Sequence, residues 1–160
     1  MMDVTKYPVV ILESFIEVMK HLNIMEIKIN QLENKANMII DMDVTSIIGL
    51  VGDIKGNIAF SFNQELARKI TSAMCNGMSV QQDNELVCSA VGEFINIVLG
   101  RAGTILSQVG IYYDVSPPSV VFGRQIFFVI SSVQTMAVSM DTQYGVSEIN
   151  IGIETDSKNK

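Results

Sequence analysis

Residues 84–109 carry the longest apolar repeat in the sequence, and its spacing of three and four residues is that of an α-helix. This feature constrains the fold most, because the apolar positions fall on one continuous side of the helix. That side is formed by Val87, Val91, Phe94, Ile95, Val98, Ala102, Ile105 and Val109. We therefore predict a long central helix with this side facing the core.

Shorter patterns predict two further helices. Apolar residues recur at helical spacing over residues 8–22, where Pro8 occupies a first-turn position that tolerates proline. Residues 64–74 form another predicted helix, with Asn63 as its N-cap and Gly77 as its stop.

Short apolar and β-branched runs, separated by polar or glycine-containing turns, predict strands elsewhere. The predicted strands cover residues 36–42, 45–51, 57–62, 119–122, 125–133, 135–140 and 146–153, with a tight hairpin at residues 52–56. Strict βαβ alternation is missing, so we predict an α+β fold with a mostly antiparallel sheet, the long central helix and two further helices. One domain is predicted over residues 1–154, followed by a polar tail at residues 155–160.

Composition and charge exclude several functions. The net charge is −6 and the lysines and arginines are scattered, which argues against nucleic acid as a partner. No apolar run approaches the ~18 uninterrupted residues that cross a bilayer, so we expect no membrane span. Acidic residues interrupt the first apolar segment, unlike a secretory signal, and this favours a cytoplasmic protein.

The chain offers few groups for metal binding or nucleophilic catalysis. Its two cysteines, Cys75 and Cys88, are too few for a disulfide framework or a cysteine metal site, and we expect two small buried thiols. His21 is the only histidine, so a Ser/His/Asp triad or a multi-histidine metal site has little support. We expect this chain to bind no catalytic metal.

The other side of the predicted long helix carries only small or polar residues at spacings of three and four. These residues are Ser89, Gly92, Glu93, Asn96, Gly100, Gly103 and Ser107. A glycine inside a helix costs ~1 kcal/mol relative to alanine, so three glycines on one side require a compensating role.

Two interpretations compete for this side of the helix. The glycines could allow close packing against a neighbouring helix of the same chain, with Glu93 a solvated acid and Asn96 a satisfied amide. Alternatively, the small residues form a face on which another protein docks, and Glu93 and Asn96 are the only side chains that stand up from it. The members of this predicted docking face are Ser89, Gly92, Gly100 and Gly103.

The pattern Ser89-x-x-x-Glu93-x-x-Asn96, followed by Pro117-Pro118, resembles the [D/S]-x-x-x-E-x-x-N helix and downstream proline of the CheX/CheC family of bacterial chemotaxis phosphatases. Residues 48–61 are similar to the family's paired strands, and residues 118–123 are similar to the segment that enters its later strands. The resemblance covers most of the chain, and the helix motif is its specific part.

This resemblance implies a phosphatase that acts on the aspartyl phosphate of a CheY-like response regulator, which itself brings Mg²⁺ and a lysine. Asn96 would orient the attacking water, and Glu93 would pair with the regulator's lysine. Residues 64–74 have Glu65 followed by Arg68 and lack a second motif, so a CheX-like homodimer is expected. One alternative is a non-catalytic module that binds a response regulator or a flagellar-switch component through the same face. Another is a general-base role for Glu93.

Overall fold

The structure, a computed structural model, describes residues 6–35, 38–128 and 135–155. Within these residues the helices are α1 (Tyr7–His21), α2 (Gln64–Met74) and α3 (Asn84–Ser107). The strands are β1 (Lys28–Lys35), β2 (Met38–Ile40), β3 (Val44–Gly52), β4 (Ile54–Phe62), β5 (Tyr113–Val115), β6 (Ser119–Phe122), β7 (Ile126–Phe128), β8 (Thr135–Thr142) and β9 (Gly145–Thr155).

The main sheet is antiparallel, with strand order β1-β8-β9-β4-β3-β5, and β6 pairs with β3 on the same edge as β5. This order has an internal two-fold arrangement. The β3–β4 hairpin lies beside the β8–β9 hairpin, with β1 outside one hairpin and β5 and β6 outside the other. Strands β2 and β7 pair as a separate two-stranded sheet. The predicted α+β class is therefore confirmed.

The helices cover one face of the main sheet and enclose the core. Both α1 and α2 pack against α3, which also contacts β3 and β6. Phe15 of α1 stacks on Phe60 and Phe62 of β4, with ring centroids 5.9 and 6.2 Å apart. Phe94 of α3 meets the rings of Phe15 and Phe62 edge to face. These aromatic contacts fix the rotation of α3 and so decide which of its residues point away from the core.

The opposite face of the main sheet carries a smaller apolar cluster. Ile40 of β2 and Ala59 of β4 are buried there, and Met42 and Ile47 pack beside them. Ala59 alternates with the core residues of its strand, so it points away from the helices. The β2–β7 sheet thus covers part of this face.

The predicted core side of α3 is confirmed as far as Ala102 and is wrong beyond it. Ile105 and Val109 are 37% and 53% exposed, whereas Leu106 is fully buried. Successive residues of a helix are related by a rotation of about 100°, so Leu106, four residues after Ala102, lies on the same core-facing side as Ala102. α3 ends at Ser107, which leaves Val109 outside the helix.

The two shorter helices agree with the sequence patterns. α1 begins and ends one residue before its predicted limits, and α2 has its predicted limits. The Leu66 amide donates a hydrogen bond of 3.2 Å to the Asn63 side chain, as an N-cap requires. Gly77 follows α2 with φ of 82°, a conformation that glycine adopts without strain.

The sequence patterns miss β1 and β5. β1 is a mostly exposed edge strand with polar residues at many positions, and it therefore lacks an apolar alternation. β5 is only three residues long. The hairpin predicted at residues 52–56 is tighter than expected, because β3 ends at Gly52 and β4 begins at Ile54.

Some predicted elements lie partly outside the described residues. The strand predicted at residues 36–42 corresponds to β2, and residues 36–37 are outside the described part. β7 occupies the start of the strand predicted at residues 125–133, and residues 129–133 are outside it too. β9 includes Thr155, one residue past the predicted domain limit, and residues 156–160 of the predicted tail are not described.

α3 is long and apolar enough to cross a membrane by length and composition, with a mean hydropathy of 1.4 over its most apolar 18 residues. Glu93 and Arg101 interrupt this helix, so it is not an uninterrupted apolar run of ~18 residues, and the absence of a membrane span stays a prediction. Half of those residues are buried inside the protein. Packing against two helices and the sheet accounts for the apolar character of α3.

Candidate functional site

Glu93 and Asn96 lie on the outer side of α3, one turn apart, and Ser89 precedes them on the same helix. All three residues are exposed. In the described part of the chain, neither the Glu93 carboxylate nor the Asn96 amide has a hydrogen-bond or ion-pair partner. Because core contacts hold α3 in place, these two groups are presented to an approaching molecule without the need to break a contact.

The segment between β5 and β6 faces the C-terminal half of α3, and the helix and this segment form the two walls of a groove. We call the segment the second wall. It leaves the sheet edge at Ser116, which lies opposite Gly49 of β3. The Ser116 amide donates to the Gly49 carbonyl at 2.9 Å, and the Gly49 amide donates to the Ser116 hydroxyl oxygen at 2.8 Å. Pro117 and Pro118 follow, and since proline has no N–H to donate to the sheet, the segment projects toward α3.

A groove of about 750 Å³ runs between this segment and α3. Asn96 lies in its lining, whereas Glu93 and Ser89 lie outside it. The groove is lined by Asn96, Leu99, Gly100, Gly103, Thr104, Ser107, Tyr113, Asp114, Val115, Ser116, Pro117 and Pro118. The sequence patterns did not identify residues 113–116 as part of this site, and only the proline pair gave a signal for the second wall.

The glycines of α3 have different roles. A Cβ at Gly92 would lie 3.3 Å from Pro118 Cγ, and one at Gly103 would lie 3.4 Å from the Tyr113 hydroxyl. Gly92 is buried, so its assignment to an accessible docking face is wrong. Close packing within the chain thus explains Gly92, although the neighbour is the segment after β5 and not a helix. Gly103 is half-buried, and a Cβ there would make an ordinary van der Waals contact with Tyr113.

Gly100 differs from the other two glycines. No atom lies within 4 Å of where its Cβ would be. It is exposed in the groove, one turn after Asn96. The docking face that the structure leaves accessible therefore comprises Ser89, Glu93, Asn96 and Gly100, with Gly103 partly covered.

Tyr113 joins the two walls. Its hydroxyl donates a hydrogen bond of 2.6 Å to the carbonyl of Leu99, in the middle of α3. Burial raises the pKa of the Tyr113 phenol to about 12, because the ionised ring would be poorly solvated beside the helix. The neutral phenol is also the form that can donate to Leu99.

The Tyr113→Phe variant tests this contact. A neutral Tyr113 contributes stability that is fully present below pH 10 and is lost as the pH rises toward about 12, because the unfolded chain ionises first. We expect the free energy of unfolding of the wild type to fall more steeply over this interval than that of the variant. Urea unfolding of both proteins across the interval measures the difference, and equal slopes would show that Tyr113 is not buried in this way.

α1 is the counterpart of α3 in the internal two-fold arrangement, and it carries no second motif. Its sequence Phe15-Ile16-Glu17 matches Phe94-Ile95-Asn96 of α3. Glu17 stands where α3 has the amide, and it forms an ion pair with Arg101. The sequence analysis looked for a second motif in α2, whereas the helix that corresponds to α3 is α1. Neither helix has the acid-amide pair, so the chain has a single motif.

No group of three or more His, Cys, Asp and Glu side chains in the described residues is placed to hold a metal ion. Cys75 and Cys88 are free thiols and are half-buried, which corrects the expectation of two buried ones. His21 is exposed at the end of α1. The polar side chains of the accessible face are those of Ser89, Glu93 and Asn96.

Comparison with known proteins gives a consistent result. Residues 44–141 match the family model described as chemotaxis phosphatase CheX. A curated protein from Thermotoga maritima, the CheY-P phosphatase CheX, is 40% identical over 83 residues, which are 52% of this chain. The match spans 54% of the length of that protein.

Solved structures share the fold over nearly the whole chain. A CheC-like superfamily protein from Shewanella sp. PV-4 has a TM-score of 0.82 and 30% identity, and the match covers 96% of this chain and 99% of that one. The CheX–CheY–BeF₃–Mg²⁺ complex from Borrelia burgdorferi contains a chain with a TM-score of 0.78 and 23% identity, covering 92% of this chain and 97% of that one.

Proposed function

Since the chain belongs to the chemotaxis phosphatase CheX family, we propose that it hydrolyses the aspartyl phosphate of a CheY-like response regulator. The observation that carries the proposal is the pair of exposed, unpartnered side chains, Glu93 and Asn96, on a helix that is anchored by its core side. A carboxylate and an amide one turn apart are suited to enter the phosphorylated site of another protein.

The regulator supplies most of the chemistry in this proposal. An aspartyl phosphate is an activated acyl phosphate, and the regulator holds it beside Mg²⁺ and a lysine. The Borrelia burgdorferi complex brings a chain of the same fold together with CheY, Mg²⁺ and BeF₃, a group that mimics a phosphoryl group. We assign the Mg²⁺ to the regulator by analogy. What the phosphatase adds is the placement of water in line with the bond that breaks.

Asn96 is proposed to place this water. A carboxamide can accept a hydrogen bond from water through its oxygen and donate one through its NH₂ group. It brings no negative charge to the phosphoryl oxygens, which would repel a carboxylate at the same position. The free amide of Asn96 needs only the partner and a water molecule to complete its hydrogen bonds.

Glu93 is proposed to dock the helix on the regulator. Its carboxylate lies one turn before Asn96, so it can pair with the regulator's lysine while the amide reaches the phosphoryl group. Such a charge pair sets both the orientation and the depth of the helix in the site. The role of Glu93 is therefore mainly in binding, and that of Asn96 mainly in turnover.

A continuous assay of inorganic phosphate release tests the proposal. The regulator is supplied with Mg²⁺ and a small phosphodonor, and this chain is added at about one-tenth of the regulator concentration. A phosphatase accelerates steady-state release in proportion to its concentration. The alternative, a non-catalytic binding module for a regulator or flagellar-switch component, predicts unchanged or slower release, since a passive partner shields the phosphoryl group.

Substitutions at Gly100 test the accessible face. A Cβ at this position meets no atom within 4 Å, and leucine replaces glycine inside a helix, so the Gly100→Leu variant should be as stable as the wild type or up to about 1 kcal/mol more stable. Its longer side chain blocks close approach of the regulator, and we expect the affinity to fall at least about tenfold.

The Gly100→Ala variant is the matched control. It gains the same helix propensity and adds a single methyl group, so regulator affinity should stay within about twofold of the wild type. Titration of both variants with a BeF₃-activated regulator measures the two affinities. Full affinity in Gly100→Leu would place the regulator on another surface.

We also propose that the protein is a homodimer in the cytoplasm. The outer edge of β1 pairs with no strand in the described residues, and Ile29 and Leu32 of this strand are 46% and 60% exposed. An open edge with exposed apolar side chains is suited to pairing with a second copy. Two copies of a single-motif chain would supply two docking faces, and free thiols suit a reducing compartment.

The Leu32→Asp variant tests the dimer. A carboxylate at an apolar strand edge must be desolvated on pairing, so we expect the wild type to sediment as a dimer at micromolar concentration and the variant as a monomer. Val51→Asp, at an exposed apolar position of β3, is the control and should remain dimeric. A wild type that is purely monomeric under these conditions would rule the dimer out.

A further inference from the structure

A second cavity lies near the N-terminal ends of α2 and α3, outside the groove. Its volume is about 240 Å³, below the range of drug-sized ligand pockets. It is lined by Asp43, Val44, Gln64, Ala67, Arg68, Gln81, Gln82, Asn84, Val87, Phe122 and Gly123. None of these residues belongs to the accessible docking face.

The two charged residues that line this cavity, Asp43 and Arg68, are not paired with each other. Asp43, its acidic lining residue, accepts hydrogen bonds from Arg124 Nε at 2.7 Å and from the Gln64 amide at 2.8 Å. The Arg124 guanidinium holds the pKa of Asp43 below its usual value, so the carboxylate remains ionised and paired. Arg68 is half-buried and has no ion-pair or hydrogen-bond partner among the described residues.

Besides the Arg68 guanidinium, the cavity lining contains side-chain amides that can donate hydrogen bonds. The side chains of Gln81, Gln82 and Asn84 carry amide NH₂ groups and have no hydrogen-bond partner within the described residues. The backbone amides at the helix starts are partly engaged, since Asp43 and Asn63 accept from the first turn of α2. Recognition would therefore come from side chains, with Val44, Ala67, Val87 and Phe122 as the apolar part of the wall.

We propose that this cavity, the Arg68 cavity, is a binding site for a small oxyanion, a carboxylate or phosphate group on a compact apolar body. The guanidinium of Arg68 matches the two oxygens of such a group, and the amides around it complete the hydrogen bonds. Desolvation of a half-buried arginine is offset when an anion enters. The site is independent of the proposed phosphatase activity, because it uses none of the residues of the accessible face.

Titration of the isolated ¹⁵N-labelled protein tests the site. Two probes are used in separate arms, inorganic phosphate and propionate, each against sodium chloride of equal ionic strength. We expect saturable shifts at Arg68 and its neighbours in at least one arm, and the arm with the higher affinity identifies the group. Arg68→Gln should weaken that binding at least about tenfold.

Lys69→Gln is the matched control, because Lys69 is the next cation along α2, lies over the Tyr144 ring and does not line the cavity. It should bind the probe as the wild type does. Gln82→Leu, an exposed position, should weaken binding several-fold and serves if Arg68→Gln fails to fold. The proposal is overturned if neither probe gives saturable shifts, or if the shifts persist undiminished in a folded Arg68→Gln or Gln82→Leu protein, or if Lys69→Gln loses them equally.

Discussion

Replacing Asn96 with alanine is expected to lower the rate constant for regulator dephosphorylation by about two orders of magnitude or more, with the affinity for the regulator within about twofold of the wild type. The substitution removes the amide that places water and leaves the Glu93 carboxylate that docks the helix. Asn96 is exposed and has no partner in the described chain, so the free energy of unfolding should change by no more than about 1 kcal/mol.

Single-turnover decay of a labelled regulator phosphate, at saturating concentrations of each variant, separates the rate constant from the affinity. The Ile97→Ala variant is the control, since Ile97 is the adjacent residue, is 42% exposed and does not line the groove. It should retain the activity of the wild type. Full activity in a folded Asn96→Ala protein would remove the catalytic role and favour the binding-module alternative.

Replacing Glu93 with lysine is expected to prevent complex formation, with a loss in affinity of about a hundredfold or more. The variant sets a positive charge against the lysine of the regulator, so an attraction becomes a repulsion in a site from which water is largely excluded. The exposed position of Glu93 predicts a folded protein. Binding to a BeF₃-activated regulator is the measurement, because this analogue does not turn over.

The Glu13→Lys variant controls for the change in net charge. Glu13 is an exposed acid in the middle of α1 and lies outside the accessible face. It should reduce the affinity only slightly, through long-range electrostatics that salt screens. If Glu93→Lys bound the activated regulator as tightly as Glu13→Lys does, Glu93 would have no part in docking.

The helices are predicted well because the residues that determine them are close together in the sequence. The N-cap residue Asn63 accepts a hydrogen bond from Leu66, three residues later, and the apolar repeat of α3 includes Phe94, which contacts the core. β1 escapes prediction since its stability comes from pairing with β8, and its own residues are mostly exposed and polar. Such pairing is a tertiary property that the strand sequence does not encode.

The site was only partly predictable for the same reason. The spacing of Glu93 and Asn96 identifies the acid-amide pair, but it does not separate the buried Gly92 from the open Gly100, because contacts with residues more than a dozen positions away decide that. The second wall also depends on tertiary contacts, because the hydrogen bond from Tyr113 to Leu99 joins an edge strand of the sheet to α3. The unpaired state of Arg68 likewise depends on the tertiary arrangement around it.

Catalysis by this chain on a regulator phosphate is measured most simply when the chain is present in far smaller amount than the regulator. The regulator is phosphorylated, freed of phosphodonor and followed by the loss of its label in Mg²⁺, with this chain present at about one-twentieth of the regulator concentration. We expect the decay to become faster in proportion to the amount of chain added, with each molecule turning over many regulators, and we expect Asn96→Ala to return the decay close to its spontaneous rate. A decay that is unchanged or slowed by the wild-type protein would rule out the proposed phosphatase activity.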